Sequence, residues 1–582
     1  MEEALRIDRE HEGSWTPSPT AESVAGAGIW TSPVPRWTSS ASRDDEGAAF
    51  ELVMADLDSD DLQSRYLPEA RLEGQAAAKR SKYEVEQLVA SPGSLPKPVF
   101  PDARREASAR SGRPTATSAM LARVPREFLE SCTPEAQALR RRLLRGATVV
   151  FASAGYPGKR FVFELAAALG IKSVIIDHPD SWSRGLVEEG IIAKFLPVDM
   201  SQTSDEVFQQ SCSLIQQLGS DGLTGSVDGV TTFVELAVPL AARLCERFGL
   251  PGMTPASVDT ARDKHRTRAA MAKAKLPTPR NLLIRSETEL LAAGKFVGFP
   301  AVLKPISGAA SLGVKKVESM DELRTCYREV VRDLAALVVS SGALTRDDGS
   351  GGITASRMID LSVLLEQYLD GEEVDVDIVF SDGDWRYAAV TDNGPTFEPY
   401  FNETWGLMPS LLTKDKQSSL KELAIASVKA LGFTSGVFHV ECKYSSTGPQ
   451  LIEVNARMGG GPVRDVNRLV WGVDLVEEAI ICALGIPSRP VVPEKPITCI
   501  AYYFINAQRS GRVVSTASIE ALRQEPGVLA AESFVKPGDV LVGRRDGLAT
   551  WLGSLVVSAD CSDNALAHLL RLEGELVVEI SD

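Results

Sequence analysis

At 582 residues the chain is long enough for several domains, and 62 basic against 78 acidic side chains leave a net charge of −16. Hydrophobic residues make up 44% of it, with no apolar run of membrane-spanning length, so a water-soluble globular protein with no membrane partner is expected. The acidic balance argues against a broad nucleic-acid surface, yet it leaves room for a local cationic pocket for phosphates.

The N-terminus, Met1–Arg6, starts acidic and no apolar segment follows, so no secretory signal is expected. Eight cysteines lack zinc or CxxC spacing. Cys245, Cys482 and Cys499 sit in apolar surroundings and read as reduced core residues of a cytoplasmic protein.

Residues 1–130 are rich in Ser, Pro, Ala, Arg and Glu and show little sustained apolar periodicity. They are expected to be a mostly disordered arm, with short helices around 48–57 and 69–88 and no partner named by the sequence. From 131 to 250 a strand–helix–strand rhythm sets in: Ala147–Ala152, a helix over Lys159–Leu169, then Ser173–Asp177, Ile192–Val198 and Gly229–Phe233. That rhythm predicts a small parallel sheet with helices on its faces. Gly155–Lys159 resembles a phosphate loop but lacks the spacing and the final Gly-Lys-Ser/Thr, so no nucleotide site is placed there. A turn at the carboxyl end of a strand remains a place for a substrate to dock. Asp177 and His178 are candidates to line that crevice, although capping by Asp180 or Ser181 is the commoner role for such a turn.

Between 251 and 492 the pattern changes. Phe299–Pro305 is a strand carrying Lys304, followed by the small-residue turn Ser307–Val314. A lysine at a strand end beside such a loop can set an ammonium and backbone N–H groups on a triphosphate. Ser340–Ser356 reads as a flexible insertion. Val363–Asp370 is read as a strand continuing through Gly371–Phe380. Val437–Tyr444 and Gln450–Val454 flank a turn and form a hairpin that can bring Glu441 beside Glu453 and Asn455, which share a face. Two carboxylates and an amide oxygen are hard ligands of the kind Mg²⁺ takes beside nucleotide phosphates. The other reading is a hairpin with a solvated acidic face. From 493 to 582, alternating strands and a late helix suggest an α+β cap, with Lys536–Asp539 as a structural turn.

The order of these parts resembles the ATP-grasp superfamily of carboxylate–amine ligases, and within it the carnosine synthases, from about Ala147 to the C-terminus. The likeness is carried by Pro157–Phe161, Asp180–Ser183, Val227–Val230, Glu235–Arg243, Asp392–Thr396 and Glu453–Gly460. It implies an ATP-grasp fold, α/β and α+β, preceded by the small parallel α/β domain and followed by the cap.

By motif, the resemblance assigns Lys264 and Lys304 to the ATP phosphates. It makes Ser307, Gly308, Ser311 and Gly313 part of a loop closing over them. Glu366, with the backbone of Gln367 and Leu369, would hold adenine, and Glu373 the ribose. Glu441, Glu453 and Asn455 would hold Mg²⁺, with Mn²⁺ as an alternative, and Arg457 would face the transferring phosphate. The chain has Asn-Ala-Arg where relatives often carry Asn-Pro-Arg, which relaxes the turn without removing a ligand.

The implied chemistry is amide formation between two amino acids through an acyl phosphate, with ADP and phosphate released and carnosine as one candidate product. Phosphoryl transfer asks the protein for positioning and charge neutralisation, and loop closure keeps water from the acyl phosphate. Substrate contacts are expected from Glu403, which could hold an amino group or be a surface acid. Arg464 could clamp a carboxylate or pair with Asp465 or another acid, and His439 could touch substrate or fill space. Other dipeptide ligation, bicarbonate activation and non-catalytic nucleotide binding stay open as alternatives, as does a homo-oligomer.

Overall fold

The computed structural model describes residues 117, 121–218, 226–307, 312–335, 337–340, 343–346, 353–354 and 362–582. Residues 1–116 and 118–120 of the expected arm over 1–130, with its two helices, most of the Ser340–Ser356 insertion, and the loop residues Gly308 and Ser311 lie outside the described residues. The end of that arm is structured instead, Arg126–Glu130 forming a short helix that buries Leu129.

Four parallel strands, β1 (Thr148–Ala152), β2 (Lys172–Asp177), β3 (Lys194–Pro197) and β4 (Gly229–Thr231), stand in the order β3-β2-β1-β4. Their runs of Val, Ile and Phe are buried, as parallel strands covered on both faces must be. Asp177 is only 1% exposed and accepts hydrogen bonds from the Ala154 and His178 N–H groups and the Ser181 hydroxyl. It therefore locks two strand-end turns together and does not line a crevice. Ser181 is the cap, accepting from the Ser183 N–H.

The helix Val238–Phe248, stopped by Gly249 at φ +63°, leads through Pro255–Arg262 into Lys264–Lys273. The Asp263 side chain caps this last helix by accepting from the Arg266 N–H, which fixes Lys264 at its first position.

A small antiparallel sheet follows, from β5 (Asn281–Ile284), β6 (Ala301–Pro305) and β7 (Lys315–Val317). Three short strands, β8 (Leu337–Ser340), β9 (Ala343–Arg346) and β10 (Ile353–Thr354), pair with one another. The chain then returns as β11 (Val363–Gln367), giving the order β5-β11-β6-β7. The run expected to continue through Gly371 instead breaks there: Gly371 has φ +90°, and a Cβ on it would lie 2.0 Å from the Tyr444 carbonyl oxygen. No side chain fits that approach, so the chain turns at this glycine and enters a second sheet.

That sheet has β12 (Glu372–Ser381), β13 (Asp384–Asn393), β14 (Trp405–Met408), β15 (Gly436–Ser445) and β16 (Gly448–Asn455). The C-terminal stretch adds β17 (Cys499–Asn506), β18 (Gly511–Ser515), β19 (Val528–Ser533), β20 (Val540–Leu541), β21 (Trp551–Ala559) and β22 (Glu579–Ser581). Three of these do not stand apart as a cap: β17 pairs with β14 and prolongs the sheet to β16-β15-β12-β13-β14-β17-β21-β19. β20-β18-β22 form a separate small sheet. One face of the large sheet packs Val374, Val376, Ile378, Phe438 and Val440 against Leu420, Ala424 and Val428 of the helix Lys414–Ala430. Because strand side chains alternate, the intervening residues 373, 375, 377, 439 and 441 go to the opposite face.

Candidate active site

That opposite face is the floor of a cleft. The β15–β16 ladder sets Glu441 directly across from Glu453 and His439 across from Asn455. The β12–β15 ladder sets Asp375 across from Glu441, Asp377 across from His439 and Glu373 across from Lys443. Directly opposed side chains lie within contact range, so like charges there repel one another. The Asn455 amide nitrogen donates to Glu441 Oε1 at 3.1 Å, and Lys264 Nζ lies 2.6 Å from Glu453 Oε2. Surrounding protein, with Glu453 and Asp375 close by, pushes the Glu441 carboxyl up to about 8.

Among the described residues no three His, Cys, Asp or Glu side chains form a ready metal cage. Two carboxylates and an amide oxygen are instead the partial set that a hard divalent ion shared with phosphates takes, so these residues fit such an ion.

Lys304 and Glu366 sit diagonally across the β6–β11 ladder, and their side chains meet at 2.5 Å. Arg268 closes the group, its Nε donating to Glu366 Oε2 at 2.5 Å and its Nη2 to Oε1 at 3.0 Å. Burial alone raises the Glu366 carboxyl, but Arg268 and Lys304 outweigh it and hold it down to about 2. Both carboxylate oxygens are thereby engaged. Arg268 Nη1 is buried with no partner among the described residues, an unmet donor at the seam of the two sheets. The Gln367 N–H donates to the Arg280 carbonyl at 2.8 Å, Leu369 is half-buried, and Glu373 lies 3.4 Å from Lys443 Nζ. The Lys264 N–H donates to the Ile306 carbonyl, Ser307 Oγ donates weakly to the Arg262 carbonyl, and Gly313 takes φ +73°.

Arg457 extends from the end of β16. Its Nε donates to Glu235 Oε2 at 2.8 Å, its Nη1 to the Met458 carbonyl at 2.9 Å, and its Nη2 reaches Asn455 Oδ1 at 3.4 Å. The other Glu235 oxygen accepts from Arg262 Nε at 3.1 Å. Burial raises the Glu235 carboxyl, and Arg457 and Arg262 together draw it below the usual range. This bridge, absent from the sequence-based site, joins the parallel-sheet part to the hairpin.

His439 Nδ1 donates to Asp377 Oδ1 at 2.8 Å, and Nε2 lies 3.7 Å from Asp375 Oδ2. Although burial lowers its pKa, Asp375 and Asp377 push it up to about 10, so the ring is an imidazolium. A Cβ on Gly459 would lie 2.7 Å from His439 Nδ1, so the glycine lets the following loop cover the ring.

Arg464 is committed elsewhere. Its Nε and Nη2 donate to the Asp474 carboxylate at 3.0 and 2.5 Å, its Nη1 is 3.7 Å from Asp465, and its guanidinium lies 5.1 Å from the Phe161 ring. Glu403 has an accessible side chain, yet it stands deep in the cleft. The surrounding protein, then Asp375 and Glu373, push its carboxyl up to about 7. Tyr502, 7% exposed, lies over Gly406 near these acids and makes no hydrogen bond among the described residues.

Residues 163–252 match the ATP-grasp N-terminal domain and residues 297–465 the ATP-grasp domain. Carnosine synthase 1 of Gallus gallus is 34% identical over 415 residues, covering 68% of this chain and 42% of that protein. Alanine–anticapsin ligase of Bacillus subtilis is 24% identical over 384 residues, covering 62% of this chain and 74% of the ligase. The chain thus spans less than half the length of that carnosine synthase. Among solved structures, the L-amino acid ligase of Bacillus licheniformis superposes with a TM-score of 0.60 at 21% identity, over 75% of this chain and all of that one. With two domain matches on one chain, this fold and these relatives, the protein belongs to the ATP-grasp superfamily.

Proposed function

We propose that this chain is an ATP-dependent, ADP-forming ligase that joins the carboxylate of one amino acid to the amine of another. The observation that carries the reading is the convergence on one cleft of Glu441 opposite Glu453, the Lys264 and Lys304 ammoniums, and an Arg457 guanidinium anchored by Glu235. A protein that only bound a nucleotide would not need a guanidinium fixed beside the metal carboxylates.

A carboxylate is a poor acyl donor until its oxygen is phosphorylated. Lys304 and Lys264 neutralise the ATP phosphates, and Arg457 stabilises the phosphoryl group as it moves to the donor carboxylate. Glu366 acts by holding Lys304, its oxygens being shared with Arg268, while Gln367, Leu369 and Glu373 serve adenine and ribose. Glu441, Glu453 and Asn455 would hold Mg²⁺, which would supply neutralisation of the phosphate charge. Ser307 and Gly313 bound the small-residue loop that the resemblance assigns to covering the phosphates and excluding water. The amine of the second amino acid then displaces phosphate from the acyl phosphate and forms the amide.

Glu403 and the Tyr502 hydroxyl offer an anionic oxygen and an unused hydroxyl to the ammonium of the donor amino acid. His439, clamped by two aspartates, is a buttress for that wall, and Arg464 fixes the helix Val463–Trp471.

Phosphate release from Mg-ATP over a matrix of amino-acid pairs, with products weighed by mass spectrometry, tests the reading. The pair β-alanine and histidine comes first, given the relatives. Release that needs two amino acids and yields the dipeptide mass is expected. No release across the matrix by a protein that binds ATP would overturn the reading.

A further inference from the structure

Lys159 has no role in the site described so far. It ends the short 3₁₀ turn Pro157–Lys159 at the carboxyl end of the central parallel strand β1, directly before the helix Arg160–Ala168. Gly155 makes the bend possible: it has φ +69°, and a Cβ there would come within 2.9 Å of Val234 and 3.0 Å of Lys159 Cδ. The lysine stem therefore lies across a glycine that could not be anything larger, while Trp182 Nε1 donates to the Gly155 carbonyl at 2.7 Å and pins the turn. Two residues on, Phe161 stacks under Arg464, which anchors this turn against the chain that follows Arg457.

Val234 packs on the same face of Gly155 as the lysine stem, and the next residue, Glu235, holds Arg457, so the turn lies beside that guanidinium. The ammonium lies 5.6 Å from the Tyr156 ring and has no carboxylate partner among the described residues, and the charged group it faces is Arg457. Burial and that second cation depress the lysine to about 7. Two cations delivered from different sheets to one half-buried place, where the acid that holds Arg457, Glu235, is already shared by two arginines, form a site for an anion.

We infer that Lys159, beside Arg457, binds the carboxylate of the amine-donating amino acid, so that the parallel-sheet part of the chain selects the C-terminal residue of the product. The inference rests on the ligase reading above. The partners of the three lysines favour a carboxylate over a phosphoryl oxygen. Lys264 lies on Glu453 and Lys304 on Glu366, at the metal and nucleotide end of the site, whereas Lys159 comes from the parallel-sheet part and, of the site's charged groups, faces Arg457. An amine attacking an acyl phosphate held at Arg457 can set its own carboxylate against that part.

Initial rates with Lys159→Met and Lys159→Arg, using an amino-acid acceptor and its carboxamide, test this. Removing a charge-assisted hydrogen bond is expected to raise the acceptor KM about tenfold to a hundredfold for Lys159→Met. For the carboxamide the two proteins should show the same kcat/KM, and Lys159→Arg should recover most of the loss. A fall confined to kcat, equal for acid and carboxamide, would assign Lys159 to the phosphoryl group and overturn the inference. Calorimetric titration of the acceptor into protein loaded with a non-hydrolysable ATP analogue provides a readout free of turnover. If the unaltered protein released no phosphate with any pair, the ligase reading would fail. Weaker acceptor binding by Lys159→Met would still uphold the carboxylate site, and equal binding would sink it.

Discussion

Glu235 and Arg457, 222 positions apart, meet with Nε 2.8 Å from Oε2, and through them the parallel-sheet part grips the end of the hairpin that carries Glu441 and Glu453. The same carboxylate holds Arg262, two residues before Lys264, so one acid sets the position of three cationic side chains around the cleft. Glu235→Ala should lower ligation about a hundredfold, since misplacing a positioned group by an ångström costs on that order. Nucleotide affinity should stay within about threefold. Steady-state rates with nucleotide titrations check this. In a double-mutant cycle, adding Arg457→Ala to Glu235→Ala should cost far less than the two single changes summed.

Glu453→Gln keeps the shape of the hairpin and removes one of two facing carboxylates together with the partner of Lys264. Ligation should fall below detection while nucleotide binding remains measurable. Turnover surviving at a tenth of the original rate or more would show that the metal assignment is wrong. Chelation of divalent ions from the unaltered protein should stop phosphate release, with recovery on adding Mg²⁺ and, to a lesser degree, Mn²⁺.

The buried group of Arg268, Lys304 and Glu366 has a stability signature. Removing the acid would strand two buried cations, which costs about 3–5 kcal/mol when one partner of a buried pair is lost. Glu366→Gln should show that loss in denaturant unfolding at neutral pH. Because the folded-state carboxyl is held down to about 2, its contribution is present above the ordinary carboxylate range. It is lost only as pH falls from there through about 2, so the difference between the two proteins should narrow in acid and not in base.

Glu478 provides the opposite sign. It is 4% exposed, accepts from the Ser488 hydroxyl at 2.5 Å, and is pushed up to about 7 by burial and then by Glu477. A carboxyl raised in the folded state favours folding while protonated, and that stability is lost as pH rises from its unfolded value through about 7. Glu478→Gln should therefore match the unaltered protein near pH 4 and be more stable at pH 8, by about 3 kcal/mol at most for a shift of this size. Thermal melts at the two pH values check it.

The hairpin and the facing of its acidic positions were legible in the chain because strand alternation is a local rule: once 437–444 and 450–454 are strands, Glu453 and Asn455 must share a face, and a short turn brings Glu441 opposite. The lysine on β6 was legible for the same reason. The break at Gly371 was not, since nothing local says that a tyrosine carbonyl 73 positions on will press against that glycine.

The sequence by itself settled which side chains of each strand face one way, the capping role of the Asp180–Ser181 turn, and the parallel pairing of the first strands, all properties of neighbours in the chain. Only the tertiary structure decided who pairs with whom. Arg464 chose Asp474, Glu366 took Lys304 and Arg268, His439 was clamped by two aspartates, and Glu235 captured Arg457. The physical reason is range. Alternation and capping act over a few residues, whereas an ion pair forms wherever folding returns two opposite charges to one low-dielectric place, and that place is set by the packing of whole sheets.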